Sequence, residues 1–294
     1  MSAGRYAPSP SGDLHIGNLR TALLAWLWAR RSGRDFLIRV EDLDRVRPGS
    51  EQRQLDDLRA LGLDWDGTPV RQSERLGLYD AAIARLHDAG RVYECYCTRR
   101  EILEAPTAPH HPPGAYPGTC RHLTEAERVQ RRSVRPAALR LRTDVASFAI
   151  EDEIHGTYVG AVDDFVLRRG DGVPAYNLAV VVDDADQGID QVVRGDDLLA
   201  STPRQAYLAA LLEEDPPTYV HVPMALNSSG QRLAKRDGAV TFAELSDAGV
   251  DVFALIAGSL GLTGSTPREL LESFDPAALP DEPWVFVPPL SSGR

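Results

Sequence analysis

The first forty residues restrict the fold of this chain more than any other stretch. A loop rich in Pro and Gly at 5–18 leads into a segment with apolar side chains at helical spacing, 14–31, and Gly33 follows as a stop signal. The next segment, FLIRV at 36–40, is a short apolar run of the kind that is buried in a parallel sheet. With a short strand before the loop, these segments would follow the order strand, loop, helix, strand. This order predicts the beginning of a βαβ nucleotide-binding fold, and hence an α/β protein.

Further along the chain, helical and strand-like patterns surround a segment of different composition. Helical spacing recurs in four places: 50–61, 74–89, 202–213 and within 240–275. The segment 136–195 is predicted to form short β-rich runs, among them YNLAVVV at 176–182, and the end of the chain, PWVFVPPLSSGR, is predicted to fray. Between Tyr93 and His122 cysteines, prolines and histidines accumulate, which indicates an insertion that is stabilised on its own.

Composition and charge argue against several classes of protein. The sequence has no run of about 18 apolar residues, so no membrane span is predicted. Its N-terminus lacks the apolar core of a signal peptide, and we expect a cytoplasmic protein. The net charge of −11 argues against a general nucleic-acid coat. The arginines at 128–142 are a candidate for a local basic face, although a run of this kind is usually a solvated surface.

The loop before the first helix has the features of a phosphate site. Its sequence, RYAPSPSGDLHIGN, places prolines and small hydroxyl residues ahead of a helix start, where unpaired N–H groups and the helix dipole attract phosphate. Gly17 lacks a side chain where a nucleotide would lie against the backbone. His15, expected in the first helical turn, would donate a hydrogen bond to that phosphate. Taken alone, the same residues also fit a Pro-rich loop followed by a capped helix.

A single lysine stands among the cations of this chain. Of the 32 Lys and Arg residues only Lys235 is a lysine, and it lies in QRLAKRDG at 231–238. A compact ammonium on a flexible stem meets an anion at different distances and angles from a planar guanidinium. The lysine at this position therefore indicates a functional role, with chance survival as the alternative.

Five segments, taken together and in order, resemble the glutamyl branch of the class I aminoacyl-tRNA synthetases. The loop R-x-A-P-S-P-S-G-x-L-H-x-G-N is similar to the first signature of that family. The later segments are similar to its R-x-E-D-x-D segment, its amino-acid pocket, the adjoining strand end and its mobile K-M-S-K-S loop: RVEDLDRVR (39–47), YNLAVVVDD (176–184), VVRGDDLL (192–199) and QRLAKR (231–236). The resemblance extends to about residue 245 and implies a Rossmann-like catalytic domain.

The resemblance also implies a division of the chain. The parts are the first half of a Rossmann-like catalytic domain at 1–92, a zinc-containing insertion with a second β-rich part at 93–190, the second half of the catalytic domain with the K-M-S-K-S-like loop at 191–240, and a short helical tail at 241–294. Since about 50 residues follow Ala239, the sequence predicts no anticodon-binding domain of the kind that full-length glutamyl-tRNA synthetases carry.

Carried over position by position, the family signatures imply a substrate site. L-Glutamate would be bound by Arg5, Tyr6, Ala7, Pro8, Ser9, Glu41, Tyr176 and Arg194. ATP with Mg²⁺ would be bound by His15, Gly17, Asn18 and Lys235, of which His15 and Lys235 would also act in catalysis. The chemistry of the substrate agrees, because two carboxylates need cations such as arginine, which binds them bidentately, and the ammonium needs an anion such as Glu41.

The resemblance gives the lysine its predicted role. In the family, the last lysine of the K-M-S-K-S loop neutralises the triphosphate while the glutamate carboxylate attacks the α-phosphate, and Lys235 takes this position. Arg232 replaces the first lysine of the loop and Ala234 its first serine.

Three cysteines predict a metal site. Cys95, Cys97 and Cys120 fall within 26 positions and suit one structural, tetrahedral zinc ion that needs one more ligand. Three cysteines form no even set of disulfides, and in a reducing compartment they indicate a metal rather than a bridge. Three unrelated buried thiols are the alternative.

The fourth ligand stays open on residue chemistry. His110, His111 and His122 are chemically better ligands than a tyrosine, whose phenol is rarely deprotonated near neutrality. The pattern C-x-C…Y-x-x-x-C, however, resembles that of the glutamyl-queuosine tRNA(Asp) synthetases, in which the tyrosine is a ligand, so the resemblance implies Tyr116. His122 fits the C-x-H ending of some full-length glutamyl enzymes.

The glutamyl-queuosine resemblance implies an enzyme that activates L-glutamate with ATP and transfers it to the queuosine base in the anticodon loop of tRNA(Asp), acting as a monomer away from membranes. Three alternatives remain. A shortened glutamyl-tRNA synthetase would charge the tRNA 3′ end, and a non-catalytic zinc-stapled tRNA-binding module would carry out no chemistry. A nucleotidylyltransferase would share only the phosphate site, and the segments at 39–47 and 176–184 argue against it.

Overall fold

The computed structural model describes residues 2–104, 115–233 and 240–288 of the chain. In these ranges the strands are β1 Ala3–Tyr6, β2 Asp35–Val40, β3 Val70–Arg71, β4 Val92–Cys95, β5 Ala138–Leu141, β6 Ser147–Asp152, β7 Gly156–Ala161, β8 Val166–Arg168, β9 Ile189–Gly195, β10 Thr218–Val222, β11 Ala225–Leu226 and β12 Trp284–Val285. The α-helices are α1 Ile16–Arg31, α2 Ser50–Ala60, α3 Leu76–Asp88, α4 Arg99–Glu104, α5 Glu125–Arg132, α6 Tyr176–Asp186, α7 Thr202–Leu211, α8 Phe242–Asp247, α9 Val252–Ser259 and α10 Pro267–Ser273.

Most of the periodic segments adopt the predicted structure. The helices expected at 14–31, 50–61, 74–89 and 202–213 correspond to α1, α2, α3 and α7, and FLIRV forms most of β2. The segment 240–275 contains α8, α9 and α10. The prediction of an α/β fold is confirmed. No helix in the described ranges is long and apolar enough to cross a membrane.

Two local predictions were wrong. The run YNLAVVV at 176–182 was expected as a strand but lies in α6, where it buries Leu178, Ala179, Val180 and Val181. The strand preference of valine is weak, and burial of the apolar residues in the tertiary structure outweighs it. The chain end is also not wholly frayed, because Trp284–Val285 pairs in parallel with Ala225–Leu226.

The chain divides into two compact units, each assembled from separate stretches of sequence. The first consists of Met1–Ser73, Gly188–Leu198 and Thr218–Arg294, and the second of Glu74–Gln187 and Leu199–Pro217. These boundaries differ from the functional division at 1–92, 93–190, 191–240 and 241–294, which stays a prediction.

The first unit contains a parallel sheet with the strand order of nucleotide-binding folds. Its strands lie in the order β3-β2-β1-β9-β10, and each adjacent pair is parallel. The order runs outward from β1 in both directions, so the connection reverses between β1 and β9. In open α/β sheets, ligands bind at such a reversal, beyond the carboxyl ends of the strands.

Helix α1 is central to the core of the first unit. The residues that the helical spacing marked as apolar are all buried: Leu19, Leu23, Trp26 and Leu27. The helix packs against β1 and β9 and against α9 and α10. Arg20 is also buried, and its guanidinium donates to the carbonyl oxygen of Pro223 at 2.7 Å. Gly33, with φ of 68°, adopts the left-handed conformation that ends the helix.

The second unit combines a small antiparallel sheet, a hairpin and packed helices. The sheet has the order β4-β5-β8, and β6 pairs with β7. Helix α6 packs against α3 and α7. The fully buried Asp183 of α6 accepts hydrogen bonds from Arg75 Nε at 2.7 Å and from the Tyr79 hydroxyl at 2.9 Å. These charge-assisted bonds fix α6 to the start of α3.

Candidate active site

Three of the predicted glutamate ligands lie at the carboxyl edge of the parallel sheet. Arg5 lies near the end of β1, Glu41 directly follows β2, and Arg194 is the last residue but one of β9. Because these three strands are adjacent and parallel, their carboxyl ends meet at one edge of the sheet. That edge includes the reversal between β1 and β9, where ligands bind in folds of this kind.

The strand register places both arginines on the same face of the sheet. Gly4 pairs with Gln191, and a Cβ added at Gly4 would lie 3.0 Å from the Cβ of Ala29 in α1. This pair therefore faces α1. Side chains alternate along a strand, so Arg5 and Arg194 point to the opposite face.

Arg39 belongs to the same group, although it was not among the predicted site residues. Arg5 pairs with Leu37 of β2, so Arg39, two residues later, shares its face. Its Nη2 lies 3.8 Å from Oε1 of Glu41. The exposures of Arg5, Arg39 and Arg194 are 4%, 0% and 5%. Three guanidinium groups on one face give it a positive potential, which favours an anionic ligand. The alternation R-V-E at 39–41 was the sequence signal for this residue.

Two residues of β10 hold the side chain of Arg194. Its Nε–H donates to Nε2 of His221 at 3.1 Å, and the two residues are register partners across the strands. Its guanidinium carbon lies 5.7 Å from the ring centroid of Tyr219. The ring centroids of Tyr219 and His221 are 6.1 Å apart at an interplanar angle of 25°. The guanidinium is thus ordered by a hydrogen bond and a cation–π contact.

Residues 6–9 continue from β1 into the loop that precedes α1, as predicted. The backbone N–H of Glu41 donates to the carbonyl oxygen of Pro8 at 2.9 Å, which fixes Glu41 beside this loop. Tyr6 is buried, and burial raises the pKa of its phenol, so the hydroxyl stays neutral. Ala7 is half-buried and Ser9 is exposed.

Gln54 of α2 shapes the same loop and was not predicted. Its side chain is 3% exposed, and its amide donates to the carbonyl oxygens of Ser9 and Gly12 at 3.0 and 2.6 Å. Buried backbone carbonyls need such partners. Nothing in the local sequence pattern of α2 marks this glutamine, because its partners lie more than 40 positions away.

His15 was expected in the first turn of α1. It is instead the N-cap residue that precedes this helix. Its Nδ1 accepts the N–H of Asn18 at 3.2 Å, while Oδ1 of Asn18 accepts the N–H of His15, which is a capping box. Because Nδ1 accepts, the neutral ring carries its proton on Nε2. Burial, together with the charge of Arg232, lowers the pKa of His15 to about 4, so Nε2–H is a hydrogen-bond donor at neutral pH.

Packing within the first unit provides a second reason for Gly17. A Cβ added at this position would lie 2.9 Å from the Cβ of Ala225 and 3.1 Å from the His15 ring. Any side chain would therefore displace the start of α1, whether or not a nucleotide is bound.

Lys235 lies outside the described residues, but both flanks of its loop are described. Before the loop, Arg232 donates to Asp197 at 2.9 Å. After the loop, the N–H of Ile16 donates to the carbonyl oxygen of Val240 at 2.7 Å. Val240, the first described residue after the loop, thus lies at the N-terminus of α1.

Tyr176 belongs to the second unit. It is the first residue of α6, and its side chain is 41% exposed. The neighbouring Asn177 accepts a hydrogen bond from Gln205 of α7 at 3.0 Å, which anchors this end of the helix.

The three cysteines converge in the second unit, as predicted. Their sulfur atoms all lie within 4.8 Å of one another, and Sγ of Cys97 is 3.6 Å from Sγ of Cys120. Two thiolates bound tetrahedrally to one zinc ion would be about 3.8 Å apart, given Zn–S bonds of about 2.3 Å. The donor set therefore fits a metal ion.

The hydroxyl of Tyr116 lies inside this cluster. Its oxygen is 3.3 Å from Sγ of Cys95 and 3.9 Å from Sγ of Cys97, and it accepts the N–H of Cys120 at 2.8 Å. His122 is exposed and does not join the cluster; among the described Cys, His, Asp and Glu residues only the three cysteines form such a group. His110 and His111 lie outside the described residues.

Arg140 contributes positive charge beside the cluster. Its guanidinium carbon lies 3.6 Å from the ring centroid of Tyr116. A hydrogen bond from Cys120 lowers the pKa of the Cys95 thiol to about 4, and the charge of Arg140 acts in the same direction. Burial raises the pKa of the Tyr116 phenol. The thiolate is the form in which cysteine binds metals.

The arginines at 128–142 do not form one surface. Arg140 is buried, and Arg142 packs on an aromatic ring, 4.9 Å from the centroid of Tyr93. Arg132 is paired with two glutamates at 2.7 and 2.8 Å. Arg128, Arg131 and Arg132 lie on α5, a helix with no buried residue, and Arg135 just beyond it is partly exposed.

The fold and the site together are those of a nucleotide-binding α/β enzyme domain, with an arginine-lined face at the strand reversal and a capped helix start beside it. The family model for the catalytic domain of class I tRNA synthetases (E and Q) matches residues 3–279. The chain belongs to this family, and the family resemblance seen in the sequence is confirmed.

Relatives with assigned names agree with this membership. A protein named glutamyl-Q tRNA(Asp) synthetase from Nocardia farcinica is 70% identical over 289 residues, which cover 97% of this chain and 93% of that protein. One of the same name from Cutibacterium acnes is 51% identical, over 92% of this chain and 80% of that protein. The solved structure of a glutamate tRNA ligase from Elizabethkingia meningosepticum, in complex with its amino acid, superposes with a TM-score of 0.80 at 26% identity and covers 97% of this chain and 67% of that chain.

Proposed function

We propose that this protein activates L-glutamate with ATP·Mg²⁺ and transfers it to the queuosine base in the anticodon loop of tRNA(Asp). The observation that carries the proposal is the buried face with Arg5, Arg39 and Arg194 at the strand reversal, where Glu41 lies 3.8 Å from Arg39. The names of the relatives at 70% and 51% identity support the choice of substrate and acceptor.

The residues divide the binding of glutamate between them. Arg5 and Arg194 pair with its carboxylates, and Glu41 accepts hydrogen bonds from its ammonium group. The loop at 6–9 is a further predicted ligand in the first unit, and Tyr176 stays a predicted glutamate ligand on the family signature alone. A low-dielectric, arginine-lined face makes each ion pair stronger than it would be in water.

Activation joins a glutamate carboxylate oxygen to the α-phosphorus of ATP, while the bond to the bridging oxygen breaks and pyrophosphate leaves. The N–H groups of Ile16 and Asn18 already donate to Val240 and His15. The phosphates would therefore meet the Nε2–H of His15 and the positive end of the helix dipole. Lys235 neutralises the charge that develops on the leaving group. Gly17 and Asn18, in the first turn of α1, also bind ATP. Such a step depends chiefly on positioning and charge stabilisation.

The metal cluster has a structural role in this proposal. One zinc ion is bound by Cys95, Cys97, Cys120 and Tyr116, and it holds β4 to the loop that carries Tyr116 and Cys120. The position of the Tyr116 hydroxyl, 3.3 Å from Cys95 Sγ, favours it over His122.

The first test is pyrophosphate exchange into ATP. With glutamate and without tRNA, we expect exchange, which a tRNA-binding module without catalytic activity would not give. Aspartate and glutamine serve as substrate controls, because each lacks one feature of the γ-carboxylate that the arginines would bind.

The second test identifies the acceptor. Radiolabelled glutamate is offered to tRNA(Asp) that carries queuosine but lacks its 3′-terminal CCA. We expect undiminished labelling, recovered in an anticodon-loop fragment after nuclease digestion, and none on a matched tRNA with guanine in place of queuosine. Label that is lost with the CCA end would instead make this protein a glutamyl-tRNA synthetase that charges the 3′ end.

A further inference from the structure

The buried His221 of β10 makes a side-chain hydrogen bond to Arg194 of the neighbouring strand β9. His221 is fully buried, and its Nε2 accepts the Nε–H of Arg194 at 3.1 Å. A guanidinium is always a donor and has no acceptor. The Nε2 atom must therefore present a lone pair, so the ring is neutral and carries its proton on Nδ1.

This hydrogen bond restricts how Arg194 can bind a carboxylate. A guanidinium offers two bidentate edges, one through Nε and a terminal nitrogen, the other through Nη1 and Nη2. The contact with His221 occupies Nε, so a carboxylate must meet the terminal edge. The ring of Tyr219, 5.7 Å from the guanidinium carbon, supports the plane of the group from one side.

We propose that His221 is a positioning residue for substrate binding: as a neutral acceptor it turns the terminal Nη1–Nη2 edge of Arg194 toward a carboxylate of glutamate. The inference rests on the proposed function, in which Arg194 binds that carboxylate. Protonation of His221, or its replacement by a side chain without an acceptor, removes the hydrogen bond that fixes Nε of Arg194. Glutamate then meets a less ordered partner and binds less tightly.

The side chains of glutamine and methionine provide a matched pair for the test. Both have nearly the length of histidine, but only glutamine places a carbonyl oxygen near the position of Nε2. In glutamate-dependent pyrophosphate exchange, we expect His221→Met to raise the KM for glutamate by about tenfold or more, since a hydrogen bond to a charged group is lost. We expect kcat and the KM for ATP to stay within about twofold, because binding rather than the transition state is affected. His221→Gln should restore the KM for glutamate to within about threefold of the original.

Two controls separate positioning from folding. Val220→Ala removes volume from the neighbouring, fully buried residue of β10, which packs in the core around α1. It should lower the unfolding temperature without changing the KM for glutamate. In an Arg194→Lys background, which has no Nε–H, His221→Met should cause no further rise in this KM.

The outcomes distinguish the inference from the function on which it rests. An unchanged KM for glutamate in His221→Met, or equal increases in the methionine and glutamine variants, overturns the role of His221 while exchange by the unmodified protein still supports the proposed function. Absence of glutamate-dependent exchange in the unmodified protein overturns the proposed function, and the positioning role with it.

Discussion

At the scale of single residues, the chemistry of this protein is concentrated in buried cations. Arg5, Arg39 and Arg194 lie on one face of the sheet with exposures of 5% or less. Three guanidinium groups give this face a positive potential, and Glu41 lies within 4 Å of Arg39. An anionic ligand therefore gains from a charge distribution that folding has already organised.

Lys235 allows a direct test of cation geometry. Lys235→Arg keeps the charge but replaces a compact ammonium by a planar fork. We expect the rate of glutamate-dependent pyrophosphate exchange to fall by about a hundredfold or more with little change in either KM, because the contact is made in the transition state. Near-normal exchange in this variant would remove the catalytic role of the lysine.

His15 should make stability depend on pH. Its pKa is about 4 in the folded protein, against an ordinary value of 6.5. Between these values the unfolded chain binds more protons, so His15 contributes stability that is full above about pH 6.5 and is lost as the pH falls toward 4. His15→Asn retains a side chain suited to capping but removes the titration.

Urea unfolding at about pH 7 and about pH 4.5 measures this contribution. We expect the loss of unfolding free energy on acidification to be smaller in His15→Asn by on the order of 2 kcal/mol. The matched control is His87→Asn, which changes an exposed histidine. An equal effect of the two substitutions would contradict the depressed pKa of His15.

At the scale of elements, several contacts fix the start of helix α1. The capping box of His15 and Asn18 sets where α1 begins, Val240 receives the N–H of Ile16, and Gly17 lets the helix start approach Ala225. Each of these contacts acts on the same turn of helix, which is also the turn that would meet the phosphates of ATP.

Zinc binding is predicted for the segment from β4 to Cys120. We expect about one zinc ion per chain, lost in Cys97→Ser. Tyr116→Phe should weaken zinc binding by at least about tenfold, measured by competition with a chromophoric chelator, because it removes an oxygen ligand. His122→Ala is the matched control and should bind zinc normally. The reverse result, with zinc kept by Tyr116→Phe and lost by His122→Ala, would assign the fourth position to His122.

At the scale of the whole molecule, both units are assembled from separated stretches of chain. The first unit receives β9 and β10 from beyond the long stretch Glu74–Gln187 that forms most of the second. The three cysteines that could hold a metal lie in the second unit. We therefore expect a bound metal to stabilise the second unit more than the first. Hydrogen exchange can detect such a difference, because it reports local as well as global opening.

Hydrogen exchange before and after chelation tests this regional effect. Removal of the metal should increase exchange in β4 and β5, whose hydrogen-bonded ladder adjoins Cys95, more than in β1 and β9. Cys97→Ser should reproduce the pattern without a chelator. A uniform change across both units, or no change at all, would contradict a structural role for the metal.

The local features of this protein follow from its sequence alone. The βαβ start, the positions of α1, α2, α3 and α7, and the placement of Arg5, Glu41 and Arg194 near strand ends all depend on short-range periodicity and on motifs that a linear reading detects. The three cysteines likewise indicate a metal by number and side-chain chemistry.

The tertiary structure decided what depends on partners distant in the chain. Strand register brought Arg39 to the face of Arg5 and placed His221 beside Arg194, contacts that no local pattern encodes. Burial made a helix of the valine-rich segment at 176–182, against its weak strand preference. Folding also brought the Tyr116 hydroxyl, and not His122, to the cysteines. These outcomes depend on which surfaces are covered when distant segments pack, and a linear sequence specifies that only through the complete fold.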